Sequence, residues 1–282
     1  MTAPVRILVF DSGVGGLSIL EEIRQQYPAC WFFYASDNAA FPYGTKTEEE
    51  LVERVDTVLH QLQQTTQADI IVIACNTAST VALPRIREGF SQPVIGVVPA
   101  IKPAAALSHS KTIGLLATPG TVKREYTQQL IKEFAADCKI ISIGSSELVH
   151  LAEERLRGEI ITQEQLQPII QPFIDNSAID TVVLACTHFP LLKEELQIAL
   201  PNITYWVDSG AAIARRVGYW LQELELPLLE TPPLEKAPKH IDQNMGDTAY
   251  FTRQTSHVQD LQAALSRFNI RKVLFINNDS SD

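Results

Sequence analysis

Short, largely apolar runs alternate with amphipathic segments along most of the chain. In Ile70–Ala74, apolar and mostly β-branched residues follow one another without a polar position, which is typical of a strand buried on both faces of a parallel sheet. Segments such as Thr47–Thr65 instead carry apolar residues at helical spacing. This alternation predicts an α/β fold with parallel-rich sheets.

The predicted elements follow each other in chain order. Strands are predicted at Val5–Phe10, Cys30–Ser36, Ile70–Ala74, Pro93–Val98, Thr112–Ala117, Lys139–Ser142, Thr181–Ala185, Thr204–Val207 and Arg271–Ile276. Helices are predicted at Gly16–Gln26, Thr47–Thr65, Ala78–Gly89, Val122–Phe134, Thr162–Ile174, Leu191–Leu200 and Ala211–Leu224, with a further helix within Ser145–Gly158. Pro227–His240 is predicted to be a linker, followed by a strand at Lys239–Met245 and a helix that begins at Gly246-Asp247.

One sequence pattern occurs twice. Asp69–Ser79 begins Asp-Ile-Ile-Val-Ile-Ala-Cys, and Asp180–Pro190 begins Asp-Thr-Val-Val-Leu-Ala-Cys. A shorter match relates Phe10–Gly13 to Ala117–Gly120 in the same order along the chain. The separation is too long for a solenoid repeat. We therefore predict two related, pseudo-symmetric α/β units, with a boundary near Val98.

Polar residues follow both repeated strands. Ligands of open α/β sheets bind just beyond the carboxyl ends of the strands, which places Cys75 and Cys186 at functional positions. Asn76 and Thr77 follow the first cysteine, and His188 follows the second. If the two units face each other, the cysteines approach one ligand from opposite sides of a cleft.

Asp11 ends the first strand and is followed by a glycine-rich turn, Ser12–Gly16. Backbone N–H groups of such a turn bind anions, so we expect it to hold a substrate carboxylate. The alternative is a tight turn in which the glycines adopt positive φ. A second loop, Phe41–Lys46, either packs on the surface or closes over a pocket with the backbone of Tyr43 and Gly44 facing the ligand.

Composition excludes several classes of function. The formal net charge of −10 argues against nucleic-acid binding, which needs clustered Lys and Arg. No apolar run reaches membrane-spanning length, and Met1–Phe10 lack the features of a signal peptide. We expect a cytoplasmic protein without a membrane partner, in which cysteines form neither disulfides nor zinc sites. Cys30 and Cys138 are predicted to be buried packing residues.

Two thiols on opposite faces of one substrate suit inversion at a carbon atom. One thiolate removes the α-proton, and the opposite thiol delivers a proton to the other face. Asp11 and His188 are polar neighbours that can orient the thiols or carry their protons. Alternatives are a cysteine nucleophile with His188 as base, a non-catalytic amino-acid-binding bilobal module, and a redox pair, which needs the thiols within disulfide distance.

Four motifs together resemble one family. They are Phe-Asp-Ser-Gly-Val-Gly-Gly-Leu at 10–17, Pro-Tyr-Gly at 42–44, Ala-Cys-Asn-Thr-Ala at 74–78 and Ala-Cys-Thr-His-Phe-Pro at 185–190. The chain resembles the bacterial glutamate racemases of the cofactor-independent aspartate/glutamate racemase superfamily. The resemblance implies two three-layer α/β domains, formed by residues 1–98 with 208–282 and by residues 99–207, with the active site in the interdomain cleft.

The resemblance also implies an activity. The expected reaction interconverts L- and D-glutamate without cofactor or metal, and supplies D-glutamate for peptidoglycan, cell wall biogenesis and cell shape. A homodimer is expected, because family members are often dimeric. The alternative within the superfamily is a racemase for aspartate or another amino acid.

The resemblance implies roles for individual residues. Cys75 and Cys186 are the two acid/base residues, with Asp11, His188 and Glu153 as further catalytic candidates. The implied substrate contacts are Asp11, Ser12, Pro42, Tyr43, Gly44, Asn76, Thr77, Thr118, Thr121, Thr187 and His188. The sequence departs from the family around Glu153: Ser145-Ser146-Glu147 replaces a common Cys-Pro pair, and His150 stands where proline is usual.

Overall fold

Ten strands form two parallel sheets in the part of the chain that the structure, a computed structural model, describes: residues 4–226 and 247–276. The strands are β1 (Arg6–Asp11), β2 (Trp31–Ser36), β3 (Ile70–Ile73), β4 (Val94–Gly96), β5 (Thr112–Ala117), β6 (Lys139–Gly144), β7 (Thr181–Ala185), β8 (Tyr205–Val207), β9 (Thr248–Phe251) and β10 (Lys272–Phe275).

The two sheets share one strand order. The first sheet has the order β10-β9-β2-β1-β3-β4, and the second has the order β6-β5-β7-β8. Within each sheet all neighbouring strands pair in parallel. β1 to β4 therefore correspond to β5 to β8, with β9 and β10 added at one edge of the first sheet. The prediction of two related α/β units is confirmed.

Helices connect the strands, as parallel pairing requires. They are α1 (Leu17–Gln26), α2 (Glu48–Thr66), α3 (Asn76–Gly89), α4 (Ile101–Leu107), α5 (Pro119–Lys123), α6 (Glu125–Phe134), α7 (Glu147–Leu156), α8 (Gln163–Ile174), α9 (Lys193–Ala199), α10 (Gly210–Glu223), α11 (Ser256–Asp260) and α12 (Gln262–Arg267). Short 3-10 helices cover Tyr43–Thr45 and Phe189–Leu192.

Both faces of the first sheet are covered. Successive side chains of a strand point to opposite faces, so Ile7 and Val9 of β1 pack with α1 and α10, whereas Leu8 and Phe10 pack with α2 and α3. The helix α2 begins at a capping box, in which Thr47 and Glu50 satisfy each other's backbone N–H groups. This arrangement gives the first unit its three layers.

The second sheet is covered in the same way. Ile113 and Leu115 of β5 pack with α4 and α6, while Leu116 packs with the buried faces of α7 and α8. The four residues of β3 and the five of β7 are all buried, which explains why both strands are apolar apart from Thr181 at the start of β7.

Several predictions about elements are wrong or incomplete. The helix predicted to begin at Gly246-Asp247 is wrong, because Thr248–Phe251 form β9, which is buried and pairs with β2 and β10. The helix α4 was not predicted, because Pro103 interrupts its pattern, although proline is tolerated in a first helical turn. Cys138 is only partly buried, whereas Cys30 is buried as predicted.

Other predictions concern features that the structure leaves open. The linker at Pro227–His240 and the strand at Lys239–Met245 lie outside the described residues. The domain boundaries, 1–98 with 208–282 and 99–207, stay a prediction. They are consistent with the sheets, because each sheet contains strands from only one of the two predicted domains. Within residues 4–226 and 247–276, no helix combines the length and the apolar character that crossing a bilayer requires.

Candidate active site

The carboxyl ends of the central strands of both sheets meet at one narrow cavity. β1 and β3 contribute residues from one side, and β5 and β7 from the other. The cavity has a volume of about 20 Å³. Its lining residues are Asp11, Ser12, Phe41, Pro42, Tyr43, Gly44, Cys75, Asn76, Thr77, Thr118, Ser146, Val149, Cys186, Thr187 and His188.

Cys75 occupies the N-cap position of α3, directly after β3. Only 5% of the residue is exposed, and its Sγ lies 3.7 Å from the Ser12 hydroxyl. Burial, and then the nearby Asp11 carboxylate, raise the pKa of the Cys75 thiol well above its ordinary value, while the Ala78 N–H and the Ser12 hydroxyl act in the opposite direction. The surroundings of Cys75 therefore favour the protonated thiol.

Asp11 is fully buried at the end of β1. Its Oδ1 accepts a 2.6 Å hydrogen bond from the Ser12 N–H, and its Oδ2 accepts a 2.6 Å hydrogen bond from the Gly16 N–H. The Thr187 hydroxyl donates to the same Oδ2 from the other sheet, at 3.2 Å. Burial raises the pKa of Asp11, and the His188 charge and the two N–H groups lower it less. Asp11 thus connects the Cys75 side of the cavity to the Cys186 side.

Cys186 follows β7 on the opposite side of the cavity and is 6% exposed. Its Sγ lies 3.8 Å from His188 Nδ1, and His188 Nε2 lies 2.9 Å from Glu153 Oε1. The same Glu153 oxygen accepts a 2.9 Å hydrogen bond from the Val14 N–H. A chain of polar groups therefore leads from the Cys186 sulfur to a carboxylate on α7.

His188 and Glu153 form a buried ion pair. Burial alone would lower the pKa of His188, but Cys186 and Glu153 together raise it well above its ordinary value. Burial alone would raise the pKa of Glu153, but the His188 hydrogen bond and charge and the Val14 N–H outweigh it and lower that pKa. The surroundings of His188 therefore favour the protonated imidazolium next to Cys186.

The glycine-rich turn does not have the positive φ that one of its two interpretations expected. Among the described glycines, only Gly158 has positive φ, so the turn does not require that conformation. Instead it allows the two units to approach closely, since a Cβ on Gly15 would collide with the ring of His188 and one on Gly13 would lie 2.5 Å from Glu153. The expectation that the turn holds a substrate carboxylate stays a prediction.

Three N–H groups of the turn have acceptors within the protein. Those of Ser12 and Gly16 donate to Asp11, and that of Val14 donates to Glu153. These three N–H groups therefore hold two of the protein's own carboxylates, Asp11 in the wall of the cavity and Glu153 behind His188. Asp11 acts on Cys75 through its charge, and Glu153 is connected to Cys186 through His188.

The loop after β2 contributes one wall of the cavity through Phe41, Pro42, Tyr43 and Gly44. The buried Tyr43 hydroxyl donates a 2.6 Å hydrogen bond to Asp37 Oδ2. Asp37 also accepts hydrogen bonds from Arg54 and from Thr252. The loop is thereby anchored to α2 and to the segment after β9, and the pocket-lining alternative describes it correctly.

Hydroxyl groups join the two units on the remaining wall. The Thr77 hydroxyl lies 3.3 Å from the Thr118 hydroxyl, and Thr118 lies 3.0 Å from Thr121. The Asn76 side-chain amide nitrogen is buried and has no hydrogen-bond partner. An unpaired buried amide costs free energy unless a ligand supplies an acceptor, so Asn76 is positioned to bind one.

Most of the predicted site residues line the cavity. Glu153 and Thr121 do not, but each contacts a residue that does, His188 and Thr118 respectively. Sequence reasoning missed Phe41, Ser146 and Val149 as lining residues. Phe41 directly precedes a recognised motif, whereas Ser146 and Val149 lie in the region that departs from the family pattern and offered no signal.

The arrangement places two thiols at one cavity with unlike neighbours. Cys75 has a carboxylate and a hydroxyl next to it, and Cys186 has an imidazolium. Such a pair can take a proton from one face of a bound carbon acid and return one to the other face. Among the described residues, no group of three or more His, Cys, Asp and Glu side chains is placed to hold a metal ion.

Comparison with known proteins identifies similar chains. The family model described as Asp/Glu/Hydantoin racemase matches residues 8–217. A glutamate racemase from Pectobacterium atrosepticum is 55% identical over 226 residues, which cover 80% of this chain and 79% of that protein. A glutamate racemase from Klebsiella pneumoniae is 56% identical over 232 residues, with 82% of each chain covered.

A solved structure is similar over nearly the whole chain. It is the crystal structure of Escherichia coli glutamate racemase in complex with L-glutamate and the activator UDP-MurNAc-Ala. The sequence identity is 45%, the TM-score is 0.88, and the match covers 97% of this chain and 98% of that one.

Proposed function

The chain belongs to the Asp/Glu/hydantoin racemase family, and on that premise we propose that it interconverts L- and D-glutamate by a two-base reaction of Cys75 and Cys186. The observation that supports the reaction type is the pair of buried thiols at one cavity, on corresponding strands of two related units. We infer glutamate as the substrate from the similar proteins, three of which are named glutamate racemases.

The reaction needs two proton transfers and no change of oxidation state. One cysteine, as thiolate, forms an S–H bond as the α-carbon–hydrogen bond breaks, and the electron pair remains on the α-carbon. The opposite thiol then gives its proton to the other face of that carbon and becomes a thiolate. In the reverse direction the two cysteines exchange roles, so each must be able to act as acid and as base.

Charged and polar groups lie next to both thiols. The His188 imidazolium lies next to the sulfur of Cys186, which must carry negative charge when it acts as a base. Glu153 holds His188 in place and in its charged form, and therefore acts through His188. Asp11 influences Cys75 by its charge and fixes the turn that carries Ser12.

The substrate contacts follow from the polar groups that face the cavity. Asn76 offers an unpaired amide, and the adjacent N-terminus of α3 favours a carboxylate. The remaining proposed contacts are Asp11, Ser12, Pro42, Tyr43, Gly44, Thr77, Thr118, Thr121, Thr187 and His188, and all but Thr121 line the cavity.

The cellular setting is part of the same proposal. D-glutamate produced by this reaction would supply peptidoglycan synthesis, and thus cell wall biogenesis and cell shape, in the cytoplasm. We also propose a homodimer whose protomers each have the domains formed by residues 1–98 with 208–282 and by residues 99–207. That division is supported by the sheets, because the first uses only strands from 1–98 and 208–282 and the second only strands from 99–207.

One experiment tests the proposed reaction. L- and D-glutamate are incubated separately in deuterated buffer, without added cofactor, with the wild-type protein, Cys75→Ala, Cys186→Ala and the control Cys138→Ala. We expect the wild type and the control to racemise both enantiomers and to place deuterium at the α-carbon of the product. Each active-site variant should lose racemisation by at least about 1,000-fold, because removal of an acid/base group typically costs that order of rate.

The two active-site variants should differ in the enantiomer they still exchange. The remaining thiol reaches only one face, so Cys75→Ala and Cys186→Ala should exchange the α-proton of opposite enantiomers. Full turnover in either variant would contradict the two-base reaction. Turnover of aspartate in place of glutamate would assign the chain to another substrate within the same family, and binding without exchange would indicate a non-catalytic module.

A further inference from the structure

The guanidinium of Arg124 lies where the two units meet, against the helix α3 that begins directly after Cys75. Arg124 separates α5 from α6 in the second unit. Its Nη1 donates to the Thr77 carbonyl at 3.3 Å and to the Thr80 hydroxyl at 3.2 Å, and its Nε lies 3.4 Å from Glu48 Oε1. All three acceptors belong to the first unit, on α2 and α3.

Both ends of α5 contact the same residue across the cleft. Thr118, at the N-cap of α5, lies 3.3 Å from the Thr77 hydroxyl, and Arg124, at its C-cap, donates to the Thr77 carbonyl. Thr77 belongs to the first turn of α3, which follows Cys75 and contains Asn76. The position of this turn relative to the second unit therefore depends on α5 and on Arg124.

The charge of Arg124 is only weakly balanced by its ion-pair partner. The Arg124 side chain is 11% exposed, whereas that of Glu48 is 72% exposed, and ion pairs with exposed partners are strongly screened. The other two acceptors, a carbonyl and a hydroxyl, are neutral. A cation held in this way can stabilise a negative charge that forms nearby.

We propose that Arg124 is a positioning residue, which joins the two walls of the cleft through Thr77 and stabilises negative charge on Cys75 when that thiol acts as a base. This inference rests on the proposed two-base reaction. The pKa of Arg124 is consistent with it, because burial lowers that pKa while the charges of Glu48 and Cys75 raise it. By reciprocity, the Arg124 charge favours the thiolate of Cys75.

Other groups around Cys75 act on the same proton. The titratable groups that interact electrostatically with Cys75 are Asp11, Tyr34, Tyr43, Arg124 and Cys186. Arg124 is the cation of this group. Its removal should therefore change the titration of Cys75 in the direction opposite to the removal of Asp11.

The test separates the charge of Arg124 from its hydrogen-bonding geometry. Arg124→Gln removes the charge, Arg124→Lys keeps the charge but loses the planar guanidinium, and Arg6→Gln removes a guanidinium from the opposite end of β1 as a control. Steady-state kcat and KM are measured for both glutamate enantiomers across pH, and the Tm of each variant is recorded so that folding is compared directly.

We expect KM to rise about tenfold in both Arg124 variants, with a smaller fall in kcat, because the turn that carries Asn76 and Thr77 loses its contact with the second unit. For the enantiomer whose proton Cys75 removes, the limb of kcat/KM that rises with pH should move to higher pH in Arg124→Gln and stay near its wild-type position in Arg124→Lys. Arg6→Gln should change neither.

An unchanged KM and an unchanged pH profile in Arg124→Gln would overturn the inference. A pH profile that moves equally in Arg124→Lys and Arg124→Gln would also overturn it, because the charge would then have no separate effect. These outcomes are distinguishable from a failure of the proposed function. In either outcome the wild-type protein still racemises glutamate, and only the expected effect of Arg124 is missing.

Discussion

Cys75 and Cys186 follow corresponding strands of two related sheets, yet their neighbours have opposite charge. Cys75 lies beside the Asp11 carboxylate, and burial and that carboxylate raise the pKa of its thiol. Cys186 lies 3.8 Å from the His188 imidazole, whose pairing with Glu153 and Cys186 raises its pKa and so favours a positive charge. The duplicated topology therefore fixes where the two sulfurs lie, but it does not determine the electrostatic surroundings of each.

The difference arises from single positions that the topology makes equivalent. β1 ends at Asp11, whereas β5 ends at Ala117 and is followed by Thr118, so a carboxylate in one unit corresponds to a hydroxyl in the other. The position two residues after the cysteine is Thr77 in the first unit and His188 in the second. These two differences between equivalent positions make the surroundings of the two thiols chemically different, although the two units share one topology.

The proposed reaction asks both thiols to do the same work, since a proton is removed from or delivered to either face of the α-carbon. Each thiol must gain and lose a proton once in a complete cycle of forward and reverse reaction. One side can do so with an imidazole next to the sulfur, and the other with a buried carboxylate and the charge of Arg124. The contributions of the two sides can be separated by altering one side at a time and observing which limb of the pH profile of kcat/KM moves.

The largest effect is expected on the Cys186 side, from Glu153→Gln. Glu153 raises the pKa of His188, so its neutralisation should lower that pKa, and the imidazolium should then be lost at lower pH. The limb of kcat/KM that falls with rising pH should move to lower pH. The rate at neutral pH should fall by about 10- to 100-fold, less than for direct loss of a general acid or base.

The measurement is the pH profile of kcat/KM for both enantiomers, with Glu154→Gln as the control. Glu154 is the next residue of α7 and does not line the cavity. An equal loss in the control, or a profile that does not move in Glu153→Gln, would show that the imidazolium does not depend on this carboxylate.

A smaller effect is expected on the Cys75 side, from Asp11→Asn. Loss of the negative charge should lower the pKa of the Cys75 thiol, so the limb that rises with pH should move to lower pH. An asparagine amide cannot accept from both the Ser12 and Gly16 N–H groups. One buried N–H therefore loses its acceptor, and the free energy of unfolding should fall by about 1–3 kcal/mol.

Ser12→Ala is a control for the direction in which Asp11→Asn shifts the pKa of Cys75. The Ser12 hydroxyl lowers the pKa of Cys75, so Ser12→Ala should move the same limb to higher pH. We expect about a tenfold fall in kcat/KM at neutral pH for Asp11→Asn. Shifts in the same direction for both variants, measured in the same pH series together with urea unfolding, would rule out a charge effect of Asp11 on Cys75.

Local patterns in the sequence were sufficient to place the two cysteines. The apolar runs before Cys75 and Cys186 are strands whose residues are all buried, and a polar cap follows each. Parallel pairing then brings the ends of β3 and β7 to the cavity, as the general rule for open α/β sheets requires. The match between Phe10–Gly13 and Ala117–Gly120 likewise corresponds to β1 and β5, which are equivalent in strand order.

Features that depend on packing between distant segments could not be obtained from local patterns. Glu153 meets His188 only because α7 packs on the 3-10 helix after β7, and the resemblance rather than any spacing suggested it. The strand β9 has only four residues, too few for periodicity to separate strand from helix. Its position beside β2 joins parts of the chain that are far apart in sequence.

The smallest effect is expected far from the cavity, where Asp69 and Asp180 precede the corresponding strands β3 and β7. Each carboxylate accepts a backbone N–H near the start of the neighbouring strand: that of Arg6 for Asp69, and those of His109 and Ser110 for Asp180. The two units thus share this structural contact, although they differ at the thiols. Asp180→Asn tests the contact without touching the chemistry.

Burial alone would raise the pKa of Asp180, but hydrogen bonds, chiefly from Ser108, Ser110 and Thr181, lower it to about 2. A carboxyl whose pKa is depressed in the folded state stabilises the protein above its unfolded pKa of about 4, and this stabilisation is lost as the pH falls through the folded value. Asp180→Asn should therefore lower the free energy of unfolding by about 1 kcal/mol at pH 7, a figure reduced for solvent screening, and the difference from wild type should shrink between pH 4 and pH 2. Urea unfolding across this pH range measures the difference in the free energy of unfolding, with the exposed Asp175→Asn as control.

The kinetics of Asp180→Asn then show where the two units differ in function. Unchanged kcat and KM would locate that difference at the thiols, whereas altered kinetics would show that the starts of the strands also influence the cavity.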